Sequence, residues 1–207
     1  MVRFLVLLAI FMCSLNVRAG DLKAQFDRLA QVQVNQAEYQ IALQAGEERS
    51  TLCGYCHGKD GNSVKDEVPN LAGQNPEYLL HQFELFSSGT RKNYVMERLA
   101  KVVTPEERVN IALYFASLNV NVDESAQSSA RGEEVYQGFC FACHGERGRG
   151  NKDLPRLAGQ KKSFIEKTLR AFKEGKSYRD KSPMVAIMRK INEQDIPELA
   201  AYLSAMK

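Results

Sequence analysis

Two short stretches of this 207-residue chain hold the side chains best suited to chemistry. "TLCGYCHGKDGNS" contains Cys53, Cys56 and His57, and "GFCFACHGERGRGN" contains Cys140, Cys143 and His144. On one helical turn, residues i, i+3 and i+4 share a face, so the two thiols and the imidazole of each pentad point the same way. This geometry suits a haem whose two vinyl groups add to the thiols while the imidazole stands beneath the iron. A doubled Cys-x-x-Cys-His is a strong signal for c-type haem attachment. The pattern therefore predicts two covalent haems c, on Cys53 and Cys56 and on Cys140 and Cys143, with His57 and His144 as iron ligands. Three other chemistries compete. A structural zinc wants four nitrogen or sulfur ligands, whereas each pentad offers three and only His81 is in reserve. A thioredoxin-like redox pair wants a βαβ setting, which the sequence lacks. A plain disulfide leaves both following histidines without a purpose.

The rest of the chain repeats with the pentads, at an offset of 86 to 88 residues. "PNLAGQ" from Pro69 matches "PRLAGQ" from Pro155, Phe86 matches Phe172, Gly89 matches Gly175 and Tyr114 matches Tyr202. Met96 lies 39 residues after His57, and Met184 lies 40 after His144. Each stands eight residues before the expected N-cap of the last helix, Thr104 or Asn192. A methionine at helical spacing is ordinarily core filling, but this shared register assigns Met96 and Met184 as the sixth ligands. Met188 has no counterpart in the first copy and is read as packing. His81 aligns with Lys167 and is read as a surface residue of its helix. A ligating imidazole normally donates its other N–H to a fixed acceptor, and the carbonyls of Pro69 and Pro155 are the candidates. Gln74, Tyr78, Gln160 and Arg91 are candidates to approach the haem propionates.

The elements that must position these residues are helical. Each copy reads helix, loop, helix, loop, helix, with no alternating strand pattern, so the class is all-α: two tandem domains, each wrapped around one covalent haem. Thr104, Pro105 and Glu107 form an N-cap, an N1 proline and a capping-box acid, and Asn192 with Asp195 is expected to do the same. Each half has about 85 residues, a size at which an apolar core is marginal and a buried haem face helps to complete it. The expected boundaries are a signal peptide at 1–19, an N-terminal helical extension at 20–44, a first domain at 45–118, a linker at 119–130 and a second domain at 131–207.

The first residues read as export. Arg3 precedes an apolar run too short for a comfortable span, and Val17 and Ala19 are small residues before a cleavage point. The competing reading is a retained anchor. Cys13 follows Met12 where a lipoprotein site wants a small residue, so it belongs to the discarded signal. In the extension, Leu22, Phe26 and Leu29 recur at helical spacing, which suits a helix that packs back or meets a partner or, more simply, an amphipathic surface helix. Charge is unequal: Gly20 to Val122 carries 10 Lys+Arg against 13 Asp+Glu, net −3, and Asp123 to Lys207 carries 16 against 12, net +4. Such a dipole orients encounters with charged partners. Lys161, Lys162, Lys167, Lys173, Lys176 and Arg179 form the expected basic patch.

Two Cys-x-x-Cys-His pentads, each followed by "P-x-LAGQ" and a late methionine, resemble the dihaem cytochrome c4 family, made of two tandem class I cytochrome c domains. The resemblance covers roughly Ala45 to Lys207. It implies a periplasmic electron carrier rather than an enzyme, soluble or loosely held at the inner membrane. The implied partners are a quinol-oxidising bc-type complex and a terminal oxidase, and nucleic acid is not among them. The alternatives are the cytochrome subunit of a periplasmic dehydrogenase and, further off, a dihaem redox enzyme, which needs an iron with an open or different ligand position.

Overall fold

The computed structural model describes residues 22–207. The expected signal peptide and Cys13 lie outside the described residues. Eleven α-helices and no strand occur among the described residues, with one isolated bridge between Asn151 and Leu154. In the first half these are α1 (Leu22–Val34), α2 (Gln36–Arg49), α3 (Gly54–His57), α4 (Pro76–Ser87), α5 (Tyr94–Val102) and α6 (Pro105–Ser117). The second half runs α7 (Ala130–Phe139), α8 (Phe141–His144), α9 (Lys162–Lys173), α10 (Pro183–Met188) and α11 (Asp195–Ala205). From α2 onward the halves match helix for helix. The all-α class is as expected, but each pentad has its own one-turn helix, and each late methionine has a short helix of its own.

Each half closes around its own apolar cluster, with Leu80, Ile111, Leu113 and Phe115 in the first and Tyr136, Ile196, Leu199 and Leu203 in the second. Helices α2 and α6, and likewise α7 and α11, cross at a glycine. A Cβ on Gly46 would lie 2.2 Å from the Asn110 carbonyl oxygen, and one on Gly132 would lie 2.1 Å from that of Glu198. No larger residue permits these approaches.

The start of α6 is as the sequence suggests: Thr104 Oγ1 accepts from Glu107 N, and the Glu107 carboxylate accepts from Thr104 N. The second copy differs. Helix α11 begins at Asp195 with Gln194 as a cap that makes no side-chain bond, while the Asn192 amide donates to the Asp195 carboxylate. Pro197 accounts for the shift. It has no N–H, so it fits only in the first turn, where that donor is unused. A helix capped at Asn192 would place it two residues deeper, in the second turn.

The N-terminal segment takes the other of its two readings, a helix that packs back. Leu29 and Val32 of α1 are fully buried in the first core, so α1 is part of that core rather than a surface helix. The stripe extends one turn beyond Leu22, Phe26 and Leu29, and Val32 completes it. Asn35 then caps α2 through Ala37 N and Glu38 N, so the boundary expected at 44/45 falls within a continuous helix. The linker after α6 is anchored at its start: Asn62 Nδ2 donates to Asn119 O, Asn121 N donates to Asn62 Oδ1, and Asn121 Nδ2 donates to Asp60 Oδ2.

Candidate functional site

Each pentad occupies a helical turn that follows α2 in the first half and α7 in the second, so the fold presents Cys53, Cys56 and His57, and likewise Cys140, Cys143 and His144, from one turn. All four thiols are unpaired; Cys56 and Cys143 are exposed, and Cys140 is buried. Burial raises the Cys53 thiol above its ordinary value and pushes Cys140 up to about 12, with nearby Cys143 adding to the second shift. A redox-active dithiol needs the opposite, a lowered value that exposes thiolate.

His57 and His144 are both buried. Nδ1 of His57 lies 2.8 Å from the Pro69 carbonyl oxygen, and Nδ1 of His144 lies 3.1 Å from that of Pro155. A carbonyl only accepts, so Nδ1 carries the proton and Nε2 of the neutral ring keeps its lone pair. Burial lowers both imidazolium values; the carbonyl bonds oppose this, and the charges of Arg91 and Arg179, respectively, add to it. Both rings are thus neutral and oriented, as a metal-ligating imidazole must be.

Met96 sits in the first turn of α5, half-buried, its amide donating to the Asn93 side chain at 3.0 Å. Met184 sits in the first turn of α10, half-buried against the second core, its amide donating to Ser182 Oγ at 3.3 Å. Met188 is 1 % exposed in the same core. His81 lies half-buried on α4.

The glutamines of the two "LAGQ" segments do something other than expected. Gln160 Oε1 accepts from Asn70 N at 2.7 Å and Nε2 donates to Asn70 O at 3.0 Å. Reciprocally, Gln74 Oε1 accepts from Arg156 N at 2.7 Å and Nε2 donates to Arg156 O at 3.0 Å. Each Oε1 also accepts from the amide of the next residue, Lys161 or Asn75. These side chains are therefore committed to a pseudo-twofold clamp between the halves, in which residue i meets j and the equivalent of j meets the equivalent of i. Because Asn70 and Arg156 directly follow Pro69 and Pro155, the clamp also holds the two segments that orient the histidines.

Arg91 has a counterpart in the second half, Arg179, which its charge alone placed in the basic patch. Arg91 lies over Phe86 at 4.5 Å, and Arg179 lies over the equivalent Phe172 at 4.6 Å. Between them stands Tyr178, whose ring is 5.2 Å from Arg91 and 5.1 Å from Arg179 and whose hydroxyl donates to Gln82 Oε1 across the interface. Arg91 donates to the same oxygen at 2.6 Å. Neither arginine has a carboxylate partner among the described residues, and Arg179 Nε is buried without a hydrogen-bond acceptor. An orphaned buried donor is costly. Two unneutralised guanidiniums, each acting by its charge on the histidine of its half, fit a prosthetic group that brings acidic substituents. Arg179 stands five residues before Met184, as Arg91 does before Met96, so the register that picked out the methionines also marked this residue. Tyr178 and Gln82 gave no such signal. Of the expected basic patch, Lys162, Lys167 and Lys176 are exposed, with Lys176 paired to Glu174, while Lys173 is bound to backbone carbonyls.

Residues 129–207 match the cytochrome c family. Over 175 residues the chain is 33% identical to cytochrome c4 of Pseudomonas aeruginosa, covering 78% of this chain and 87% of that protein. The chain belongs to the cytochrome c4 family. The crystal structure of reduced recombinant cytochrome c4 from Pseudomonas stutzeri superposes with a TM-score of 0.70 at 30% identity, covering 79% of this chain and 98% of that one. The chain is also 28% identical over 180 residues to a thiosulfate dehydrogenase electron acceptor of Stutzerimonas stutzeri, covering 79% of this chain and 83% of that protein. As a c4-family cytochrome it is an electron-transfer protein with covalently bound haem c, and its two pentads are consistent with one haem each.

Proposed function

We propose that this cytochrome is a periplasmic one-electron carrier with two six-coordinate irons, held by His57 and Met96 in the first half and by His144 and Met184 in the second. The observation that supports this reading is that each half holds an imidazole oriented by a proline carbonyl and, in an equivalent short helix, a methionine. Bound haem supplies a one-electron iron couple whose potential methionine ligation raises. The protein's own part is to hold that group and keep other reactants from it. Cys53, Cys56, Cys140 and Cys143 are the covalent anchors. Pro69 and Pro155 fix the imidazole tautomer, so that Nε2 is the ligating atom. Arg91 and Arg179 supply the positive charge that the acidic substituents of the group require. With His57 and Met96, and His144 and Met184, holding the irons of the bound haems, a substrate would have no place to bind, and the protein would relay electrons without performing a reaction of its own.

The proposed route runs from a quinol-oxidising bc-type complex to a terminal oxidase. Residues 1–19 serve as the export signal, and any contact with the inner membrane is peripheral; no helix among the described residues is long and apolar enough to cross a membrane. A second reading, the dedicated acceptor of a periplasmic dehydrogenase, is supported by the likeness to the thiosulfate dehydrogenase electron acceptor. Steady-state assays of the purified holoprotein separate the two. Fast reduction by a bc-type complex with quinol and fast oxidation by an oxidase support the carrier. Reduction only in the presence of thiosulfate and a copurifying dehydrogenase supports the second reading and refutes the first.

A further inference from the structure

Both methionine-bearing helices are held at their C-terminal ends by a cation, and the two cations come from different places. In the first half, Arg108 of α6 is 4 % exposed and reaches the end of α5, donating from Nη2 to Ala100 O at 2.7 Å and from Nε to Val103 O at 3.2 Å. Its remaining arm pairs with Glu84 of α4 at 3.3 Å. In the second half, Lys173 at the end of α9 donates from Nζ to Met188 O at 3.3 Å and, more closely, to Ile191 O. The repeat does not explain this agreement. Arg108 aligns with Ile196, which is fully buried and apolar, and Lys173 aligns with Ser87. Two unrelated positions therefore supply the same contact at the same point of the fold.

The physical need is plain. Helices α5 and α10 have nine and six residues, too few to be stable by themselves. Their last carbonyls lack intrahelical partners. A cation at a helix C-terminus satisfies those carbonyls and also complements the helix dipole. At the other end, Asn93 and Ser182 accept from the amides of Met96 and Met184 themselves. Each methionine thus belongs to a short rod fastened at both ends, with the thioether in its first turn.

We propose that Arg108 and Lys173 are positioning residues, each holding the methionine-bearing helix of its own half so that the thioether stays on the iron. This rests on the assignment of Met96 and Met184 as axial ligands. It also removes Lys173 from the docking surface, since its ammonium is committed to the fold.

The test titrates oxidised full-length holoprotein with imidazole, a small ligand that displaces a loosely held methionine, while the sulfur-to-iron charge-transfer band of each haem is followed. Lys173→Met removes two hydrogen bonds and the charge while keeping most of the side-chain volume. Imidazole should then bind the second haem about tenfold more tightly, the scale of one to two net hydrogen bonds, with the first haem unchanged. Lys173→Arg should restore near-native affinity. In the first half, Arg108→Met is combined with Glu84→Gln so that no buried charge is left unpaired, and the same shift is expected at the first haem alone. Unchanged imidazole affinity in these variants, with Met96→Ala and Met184→Ala each abolishing one band, overturns the positioning role and leaves the ligand assignment standing. If the methionine variants keep both bands, the ligand assignment fails and the positioning role falls with it.

Discussion

Gln160→Ala tests whether the two halves are clamped through their repeated glutamines. The substitution removes a bond from Asn70 N at 2.7 Å, a bond to Asn70 O at 3.0 Å and a bond from Lys161 N at 2.9 Å. Two of the three cross the interface. Gln160 and Asn70 are buried at 8 % and 5 % exposure, so water reaches the abandoned backbone groups poorly. At about 1 kcal/mol for each net bond and about 1–3 kcal/mol for a buried donor left unpaired, the expected loss is roughly 2–4 kcal/mol. For a chain of this size, that lowers the thermal midpoint by about 5–15 °C. Gln74→Ala removes the equivalent set and should cost the same. The double variant should fall short of the sum, because both act on one interface. Calorimetry of the holoprotein is the assay, and a single transition that splits into two would show the halves unfolding separately. Gln160→Glu is the chemical control: it keeps an acceptor for Asn70 N but turns an oxygen toward Asn70 O, so it should be no better than alanine. Midpoints within about 2 °C of wild type for both alanine variants would refute the clamp.

Met188→Ala should cost about 2–5 kcal/mol as a core truncation and leave both haem spectra unchanged; loss of a sulfur-to-iron band in the second half would move the ligand from Met184 to Met188. Gly132→Ala would force a methyl group to within 2.7 Å of Tyr202 Cβ, so α7 and α11 must part, and chemical denaturation should register a loss of about 1–3 kcal/mol. Glu107 is held below its ordinary value of 4.5, first by the Thr104 backbone N–H and then by Arg49. Its contribution is complete above that value and disappears as pH falls through the lowered folded value. Glu107→Gln should therefore be less stable than wild type at neutral pH, and the gap between their midpoints should close on acidification; a gap that persists unchanged would contradict the capping role.

The haem turns, the methionine register and the α6 cap were legible in the sequence because they depend on local spacing, and the repeat supplied an internal control. What stayed hidden depended on partners distant in sequence. Gln74 and Gln160 are polar residues beside a proline loop, and spacing alone cannot tell that each will find the backbone of the other half. Arg108 and Lys173 are ordinary helix cations until the ends of α5 and α10 arrive beside them. Pro197 was visible, but its effect on where α11 begins follows only once the missing donor is counted. In α1, one buried turn more than the obvious stripe separates a core helix from a surface helix.

Two covalent haems, each with one histidine and one methionine, are checked together by combining intact mass under denaturing conditions with the spectrum of the oxidised protein. The expected product is a polypeptide carrying two haems that survive denaturation, with free thiols gone from Cys53, Cys56, Cys140 and Cys143, and a sulfur-to-iron band of two-haem intensity that Met96→Ala or Met184→Ala alone reduces by half. A product with intact thiols or a single haem, or a dihaem product without that band, would contradict it.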